Sequence, residues 1–268
     1  MPSRVTQTIC SALFLIILYF TDKTTVNSLW ILIPAGILVA ASFTMGALVN
    51  TFWYAKYPPR LNAYELNWVS RFVPFYQSLD VLTKETFCNQ LALELREKEF
   101  ISMSEKDIPE EIKMMALAPA VRLKLVFTDK LASHYSRIIL YHHAFASPDQ
   151  QYLHLSETQH EDGALIFASD ALEAAYLKPA SFFNTALYEW CCIFVKLHKI
   201  DELFNMDVKE VWVVISKILS IESNALHAYL RQPLLDHHAL LCYSYIMFPE
   251  KVKLELPEVF TQIKNLIE

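Results

Sequence analysis

Glycine is scarce in this chain and occurs only three times in 268 residues. Stretches that alternate strictly between apolar and polar residues are also few, so the composition argues for a mostly helical protein. Cysteine occurs five times, an odd number without regular spacing: Cys10, Cys88, Cys191, Cys192 and Cys242. Such a set is not a disulfide framework, and it fits a reducing compartment.

Basic runs and the usual catalytic signatures are missing as well. The net charge is −6, and aromatic and basic residues do not interleave, so nucleic acid is not an expected partner. The sequence has no Ser-His-Asp spacing, nucleophile elbow, P-loop or dinucleotide-binding fingerprint. Hydrophobic residues nevertheless make up 54% of the chain, which is unusual for a soluble protein.

Much of this apolar content lies near the N-terminus. The segment 29–49 is uncharged over 21 residues, which is enough to cross the hydrocarbon core of a bilayer as a helix. A shorter apolar segment, about 6–20, precedes it and would suit a signal peptide, but no small-residue cleavage site follows. We therefore predict a membrane anchor over 1–57, formed by a hairpin of two transmembrane helices, and consider a buried hairpin of a soluble core the weaker alternative.

The basic flanks of this hairpin indicate its orientation. Arg4 precedes the first segment, and Lys56, Arg60 and Arg71 follow the second. Because basic residues accumulate on the cytoplasmic side, we expect both termini in the cytoplasm and the lipid bilayer as a partner.

The rest of the chain, 58–268, is predicted to form one cytoplasmic domain. Two short segments rich in β-formers, Arg137–Tyr141 and Ala164–Ala168, are predicted strands. Helices are predicted on either side of them, at Thr83–Phe100, from Pro109 towards Val126, at Ser181–Lys199, at Val208–Leu219 and twice more before the C-terminus. This order predicts an α+β domain that is mostly helical, with a small sheet.

Three segments carry a resemblance to a known family. They are Gly163-Ala-Leu-Ile-Phe-Ala-Ser169, Asn184-Thr-Ala-Leu-Tyr188-Glu189-Trp190-Cys191-Cys192 and Asp236-His-His-Ala-Leu-Leu-Cys-Tyr-Ser-Tyr-Ile-Met-Phe-Pro249. Their order resembles that of the MtfA-like zinc peptidases, bacterial proteins related to the catalytic domain of anthrax lethal factor. The similarity runs from about Phe75 to Ile267. It implies a zincin-like metallopeptidase fold and a location at the bacterial inner membrane.

The resemblance also assigns roles to individual residues. In H-E-x-x-H, two histidines on one helical face share a zinc ion, and the Glu activates the metal-bound water. Here Tyr188 and Cys192 stand at the two ligand positions, Glu189 at the base position and Asp236 at that of the third ligand. Tyr229, seven residues before Asp236, matches a tyrosine of the lethal-factor relatives.

Each of these residues also has an interpretation without a metal. Glu189 fits a partly buried acid with hydrogen-bond partners, Cys191 and Cys192 fit small core residues, and Tyr229 fits a packing residue. His237 and His238, beside Asp236, are the alternative zinc ligands or else ordinary polar residues at the start of a helix.

Loss of both helix histidines leads to three functional hypotheses. The first is a pseudopeptidase, an inactive homologue without a cofactor that binds or regulates a protein or peptide in the former substrate groove. The second is an active, atypical zinc peptidase with Cys192, Asp236 and a displaced histidine as ligands and Glu189 as general base. The third is a scaffold subunit of a membrane complex.

Overall fold

A computed structural model describes residues 2–21, 26–104, 107–127, 134–148, 150–200 and 207–265. The chain divides into two compact units, Met1–Arg60 and Leu61–Glu268.

The first unit contains three helices, α1 (Pro2–Phe20), α2 (Val26–Thr44) and α3 (Gly46–Lys56). Helix α1 is long and apolar enough to cross a membrane, and only 6% of its most apolar 18-residue window is buried in the structure. A core helix of a soluble protein would be buried over most of such a window. Helix α1 therefore exposes its apolar surface.

The second predicted span differs from the structure. We expected one helix over 29–49, whereas α2 ends at Thr44 and α3 begins at Gly46, and the two parts meet at an angle of 69°. Met45 adopts a non-helical backbone (φ −91°, ψ 8°), and glycine is a poor helix former. The second apolar segment is long enough to cross a membrane only if α2 and α3 together form one bent span.

The second unit contains a four-stranded sheet with the order β1-β2-β4-β3. Strands β2 (Arg137–Tyr141) and β4 (Ala164–Ala168) confirm the predicted pair, and they run parallel with Ile138 opposite Leu165. Strand β1 (Glu99–Ser102) joins β2 in parallel, and β3 (Ser156–Gln159) joins β4 antiparallel. The sequence analysis did not identify β1 or β3. Each has only four residues, and the Ser-Glu-Thr-Gln of β3 lacks alternating apolar side chains.

The described helices of this unit confirm a mostly helical α+β fold. They are α4 (Ala63–Phe72), α5 (Pro74–Ser78), α6 (Val81–Glu97), α7 (Glu110–Phe127), α8 (Ser169–Leu177), α9 (Thr185–His198), α10 (Val208–Leu219), α11 (Ser223–Leu230), α12 (His237–Met247), α13 (Pro249–Glu255) and α14 (Pro257–Asn265). Helix α9 begins after the predicted start because the Asn184 side chain accepts a hydrogen bond from the Leu187 N–H and caps it.

Helices α7 and α9 pack against each other in the core. Pro119 lies inside α7 and cannot donate to the Met115 carbonyl, which instead accepts a hydrogen bond from the Tyr176 hydroxyl at 3.2 Å. One residue further along, the Ala116 carbonyl accepts from Trp190 Nε1 at 2.8 Å. The proline therefore does not break α7, and Trp190 fixes the position of α9 on it.

Candidate functional site

An open cleft of about 570 Å³ lies in the second unit, beside α9, β3 and the start of α12. Four of the residues predicted from the sequence line it: Tyr188, Glu189, Cys192 and Asp236. The first three lie on neighbouring turns of α9, and Asp236 is the N-cap of α12. The structure thus brings together residues that are nearly fifty positions apart in the chain.

Glu189 is buried and hydrogen-bonded on both carboxylate oxygens. The Ser156 hydroxyl donates to Oε1 and the Thr158 hydroxyl to Oε2, each at 2.7 Å. Ser156 and Thr158 are two residues apart on β3, so their side chains point to the same face of the sheet. Burial raises the pKa of Glu189, and the hydrogen bonds from Thr158, Ser156 and Gln232 offset part of that rise.

Tyr188 lies beside Glu189 and is bound to the start of α12. Its hydroxyl oxygen accepts a hydrogen bond from the Asp236 backbone N–H at 2.9 Å. Burial raises the pKa of Tyr188 well above its ordinary value, and the neighbouring Cys192 and Glu189 raise it further. Tyr188 is therefore a neutral phenol that links α9 to α12.

The Asp236 carboxylate is engaged as a helix cap. Its Oδ1 accepts hydrogen bonds from the backbone N–H groups of His238 at 2.8 Å and Ala239 at 3.1 Å. Burial alone would raise the pKa of Asp236, but hydrogen bonds from His238 and Ala239 lower it overall. Asp236 is accordingly ionised at neutral pH and bound to its own helix.

The two adjacent cysteines face different surroundings. Cys191 is fully buried in the core, whereas Cys192 is partly buried and lines the cleft. Burial raises the pKa of both thiols well above the ordinary range, and for Cys192 the charges of Glu189 and Asp236 add to this effect. In the absence of a metal, Cys192 is thus a neutral thiol, and a zinc ion would have to displace its proton to bind it.

The ligand positions that the family resemblance assigns hold one weak zinc ligand and two groups that zinc could bind. Tyr188 is a neutral phenol whose oxygen already accepts a backbone N–H, which makes it a poor ligand. Cys192 would have to lose its proton to a bound metal, and Oδ1 of Asp236 caps a helix. The set as it stands is not arranged around a metal.

His237 and His238 lie next to this set at the start of α12. One ring nitrogen of each histidine and one carboxylate oxygen of Asp236, the atoms that could bind a metal, all lie within 4.8 Å of one another. Two imidazoles and a carboxylate are a known zinc ligand set. Neither histidine is among the described residues that line the cleft.

Tyr229 is not among the described residues that line the cleft. It belongs to α11, is half-buried, and its ring centroid is 6.3 Å from that of Phe182. Burial raises its pKa, and the charge of Asp170 adds to the rise. In this position Tyr229 packs against a neighbouring ring.

Sequence analysis did not identify several polar residues that build the site. Besides Ser156 and Thr158, the Gln232 amide donates to the Ser156 carbonyl at 2.6 Å. The buried His154 contacts Glu157 through Nε2 at 2.9 Å and the Tyr152 carbonyl through Nδ1 at 2.9 Å. Two hydroxyl residues spaced two apart, Ser156 and Thr158, are the sequence pattern that could have indicated this part of the site. The pattern is informative only if 156–159 is known to be a strand, because only then do both hydroxyls lie on one face.

No protein-family profile matches the sequence, and no curated protein matches it.

The buried carboxyl of Glu189 predicts a specific pH dependence of stability. Its pKa is raised in the folded protein above the ordinary value of 4.5, so the folded state binds the proton more tightly than the unfolded chain. The stability that this proton contributes in acid is lost as pH rises through the folded-state pKa. Glu189→Gln carries no charge at any pH, so its unfolding free energy should fall less as the pH rises above about 4.5.

This dependence can be measured by denaturant unfolding of the full chain in detergent at several pH values. The control is Glu85→Gln, which removes an exposed carboxylate on α6. Parallel pH profiles for Glu189→Gln and the unmodified protein would contradict the assignment.

Proposed function

We propose that this chain is a membrane-anchored, inactive relative of the MtfA-like peptidases whose cleft binds an extended segment of a partner protein. The observation that carries the proposal is the cleft itself. Tyr188, Glu189 and Asp236 hydrogen-bond to groups of their own chain, while about 570 Å³ beside them stays open. Such a cleft suits binding more than hydrolysis.

The position of β3 supports an extended ligand. This strand is at an edge of the sheet, and the Ala168 N–H donates to the Leu155 carbonyl in its antiparallel pairing with β4. Backbone N–H and C=O groups point to opposite edges at alternate residues of a strand. Those of Glu157 and Gln159 therefore face β4, and those of Ser156 and Thr158 face away from β4. The Ser156 carbonyl accepts a hydrogen bond from the Gln232 amide. The backbone groups of Thr158 are then the ones to which an added strand would bond.

The side chains around the cleft supply contacts for a partner peptide. Leu234 lines the cleft, is 87% exposed and offers apolar surface to a ligand. Lys196 also lines it, is exposed and provides a positive charge. An extended segment with an apolar side chain and mixed polar groups is the ligand that these contacts favour.

The proposed location is the cytoplasmic face of a bacterial inner membrane. Helix α1 is apolar, long enough to span the bilayer and largely unburied within the structure. Arg4, Lys56 and Arg60 flank the apolar segments on one side of the bilayer, which by the distribution of basic residues is the cytoplasmic side. The second unit then lies where cytoplasmic partners reach it.

Anchoring predicts that the chain stays in the membrane fraction after extraction at high pH, with its N-terminal helix intact. The measurement is fractionation followed by the intact mass of the protein. A cleaved signal sequence would instead give a shorter chain, because residues preceding the cleavage site are removed. A chain released at high pH, or one shortened by loss of α1, would exclude the anchor.

Strand addition predicts that proline at position 158 prevents peptide binding. Thr158→Pro removes both the side-chain hydroxyl and the backbone N–H that faces the open edge of the sheet. Thr158→Val removes only the hydroxyl and keeps the N–H, so it is the matched control. The probe is a pool of ten-residue peptides of randomised sequence, captured on the full chain in detergent and quantified by mass spectrometry. We expect about tenfold less captured peptide for the proline variant than for the valine variant.

Equal capture by the two variants would contradict binding along β3. The same incubation also reports hydrolysis, because cleaved peptides are distinguished by mass. Intact captured peptides are the expected result.

A second candidate function rests on Asp236, His237 and His238. Their donor atoms lie close enough together for a shared metal, and Glu189 lines the cleft that Asp236 also lines. This arrangement would give an atypical zinc peptidase with Glu189 as general base. Peptide turnover that Glu189→Gln abolishes would establish it, and the absence of turnover by the unmodified protein would exclude it.

A further inference from the structure

A second, smaller cavity in the second unit has no role in the proposed function. It has a volume of about 90 Å³, and its walls are mostly apolar, with the rings of Phe72, Phe75 and Phe182 among them. Arg122 from α7 lines the cavity as well, and no acidic side chain is among its described lining residues. A guanidinium group thus borders an apolar cavity.

The described contacts of Arg122 leave its charge without an anion. Its Nη2 donates to the Ile246 carbonyl at 2.6 Å, and Nη1 contacts the thioether of Met247 at 3.2 Å. The guanidinium carbon lies 4.6 Å from the centroid of the Phe75 ring. Among the residues that the structure describes, no carboxylate pairs with Arg122.

These contacts satisfy only part of the guanidinium. It has five N–H donors, and a thioether is a weak acceptor. Burial lowers the pKa of Arg122, and the nearby Tyr176 and Tyr243 offset part of this effect, but arginine remains charged in proteins. A partly buried charge without a counter-ion is costly, so an anion that reached this cavity would be attracted to it.

A second positive feature borders the same cavity. Asn184 lines it and is the N-cap of α9, so the positive end of that helix is directed to this region. The Asn184 N–H donates to the Tyr243 hydroxyl at 3.3 Å, and Tyr243 also lines the cavity. Two hydrogen-bonding side chains thus stand near Arg122 in a mostly apolar wall.

We propose that this cavity binds a small apolar monocarboxylate, whose carboxylate pairs with Arg122 and whose apolar part packs against the Phe72 and Phe182 rings. A planar guanidinium pairs with a carboxylate through two parallel hydrogen bonds. One arginine in an apolar wall can balance a single negative charge but not the two charges of a phosphate dianion. A cavity of about 90 Å³ is also far below the roughly 300–1,000 Å³ of sites for larger ligands.

The test compares acids with uncharged molecules of the same shape. Butanoate and benzoate are titrated against the full chain in detergent, beside 1-butanol and benzyl alcohol, and binding is followed by calorimetry and by the thermal unfolding midpoint. Both acids should bind and raise the midpoint with concentration, whereas the alcohols should not. Decanoate serves as the size control, since its chain is too long for a cavity of about 90 Å³ and it should bind less tightly than butanoate.

Two variants assign the binding to this cavity. Arg122→Gln keeps hydrogen-bonding groups but removes the charge, and should weaken binding by about tenfold to 100-fold. Ala175→Leu narrows the cavity without touching Arg122 and should also abolish binding, which keeps the test valid if Arg122→Gln does not fold. Thr158→Pro, which alters the cleft, should leave the affinity for the acids unchanged.

The proposal is overturned if the acids and the alcohols act alike, or if Arg122→Gln binds the acids as well as the unmodified protein. Either result would leave Arg122 as a structural group that binds the last turn of α12 through the Ile246 carbonyl.

Discussion

The buried carboxylate of Glu189 holds the cleft together. It joins α9 to the edge strand β3 through the hydroxyls of Ser156 and Thr158. These hydrogen bonds offset part of the cost of burying Glu189, whose pKa burial nevertheless raises, so losing them would make the buried carboxyl more destabilising still. The same side chain would be the general base of a peptidase, so the residue that suggested catalysis also has a structural role.

Two further hydrogen bonds fix the orientation of α9 around this carboxylate. Trp190, the next residue, donates to the Ala116 carbonyl of α7 on the core side. Tyr188, the preceding residue, accepts from the backbone N–H of Asp236 at the start of α12. Three consecutive side chains thus bind three different elements. Tyr188 stands where the family resemblance would place a metal ligand, and in the structure it links two helices.

The sequence was sufficient to predict the features with a strong local pattern. The uncharged apolar segments, the strands Arg137–Tyr141 and Ala164–Ala168, and the helix Val208–Leu219 have compositions that favour one conformation. The grouping of Tyr188, Glu189 and Cys192 on one cleft followed from helical spacing, with Asp236 placed beside them through the family resemblance. Local periodicity and motif order were enough in each case.

Features that depend on distant contacts could not be predicted. Strand β3 is short and polar, and it forms because β4 supplies its hydrogen-bond partners. Pro119 would normally interrupt a helix, but Tyr176 supplies a donor for the carbonyl that the proline leaves without one. The position of Arg122 beside an apolar cavity likewise depends on residues from several helices. The break at Met45 in the second apolar segment was missed although Gly46 marks it.

The zinc content of the purified protein tests the central claim most directly. The full chain, purified in detergent without a metal-affinity tag, would be analysed by elemental mass spectrometry beside Cys192→Ser. The account predicts less than about one tenth of a zinc ion per chain in both proteins, and an unfolding midpoint that a strong chelator does not change. About one zinc per chain that is lost in Cys192→Ser would contradict it, because the thiol would then be a ligand and the cleft a metal site.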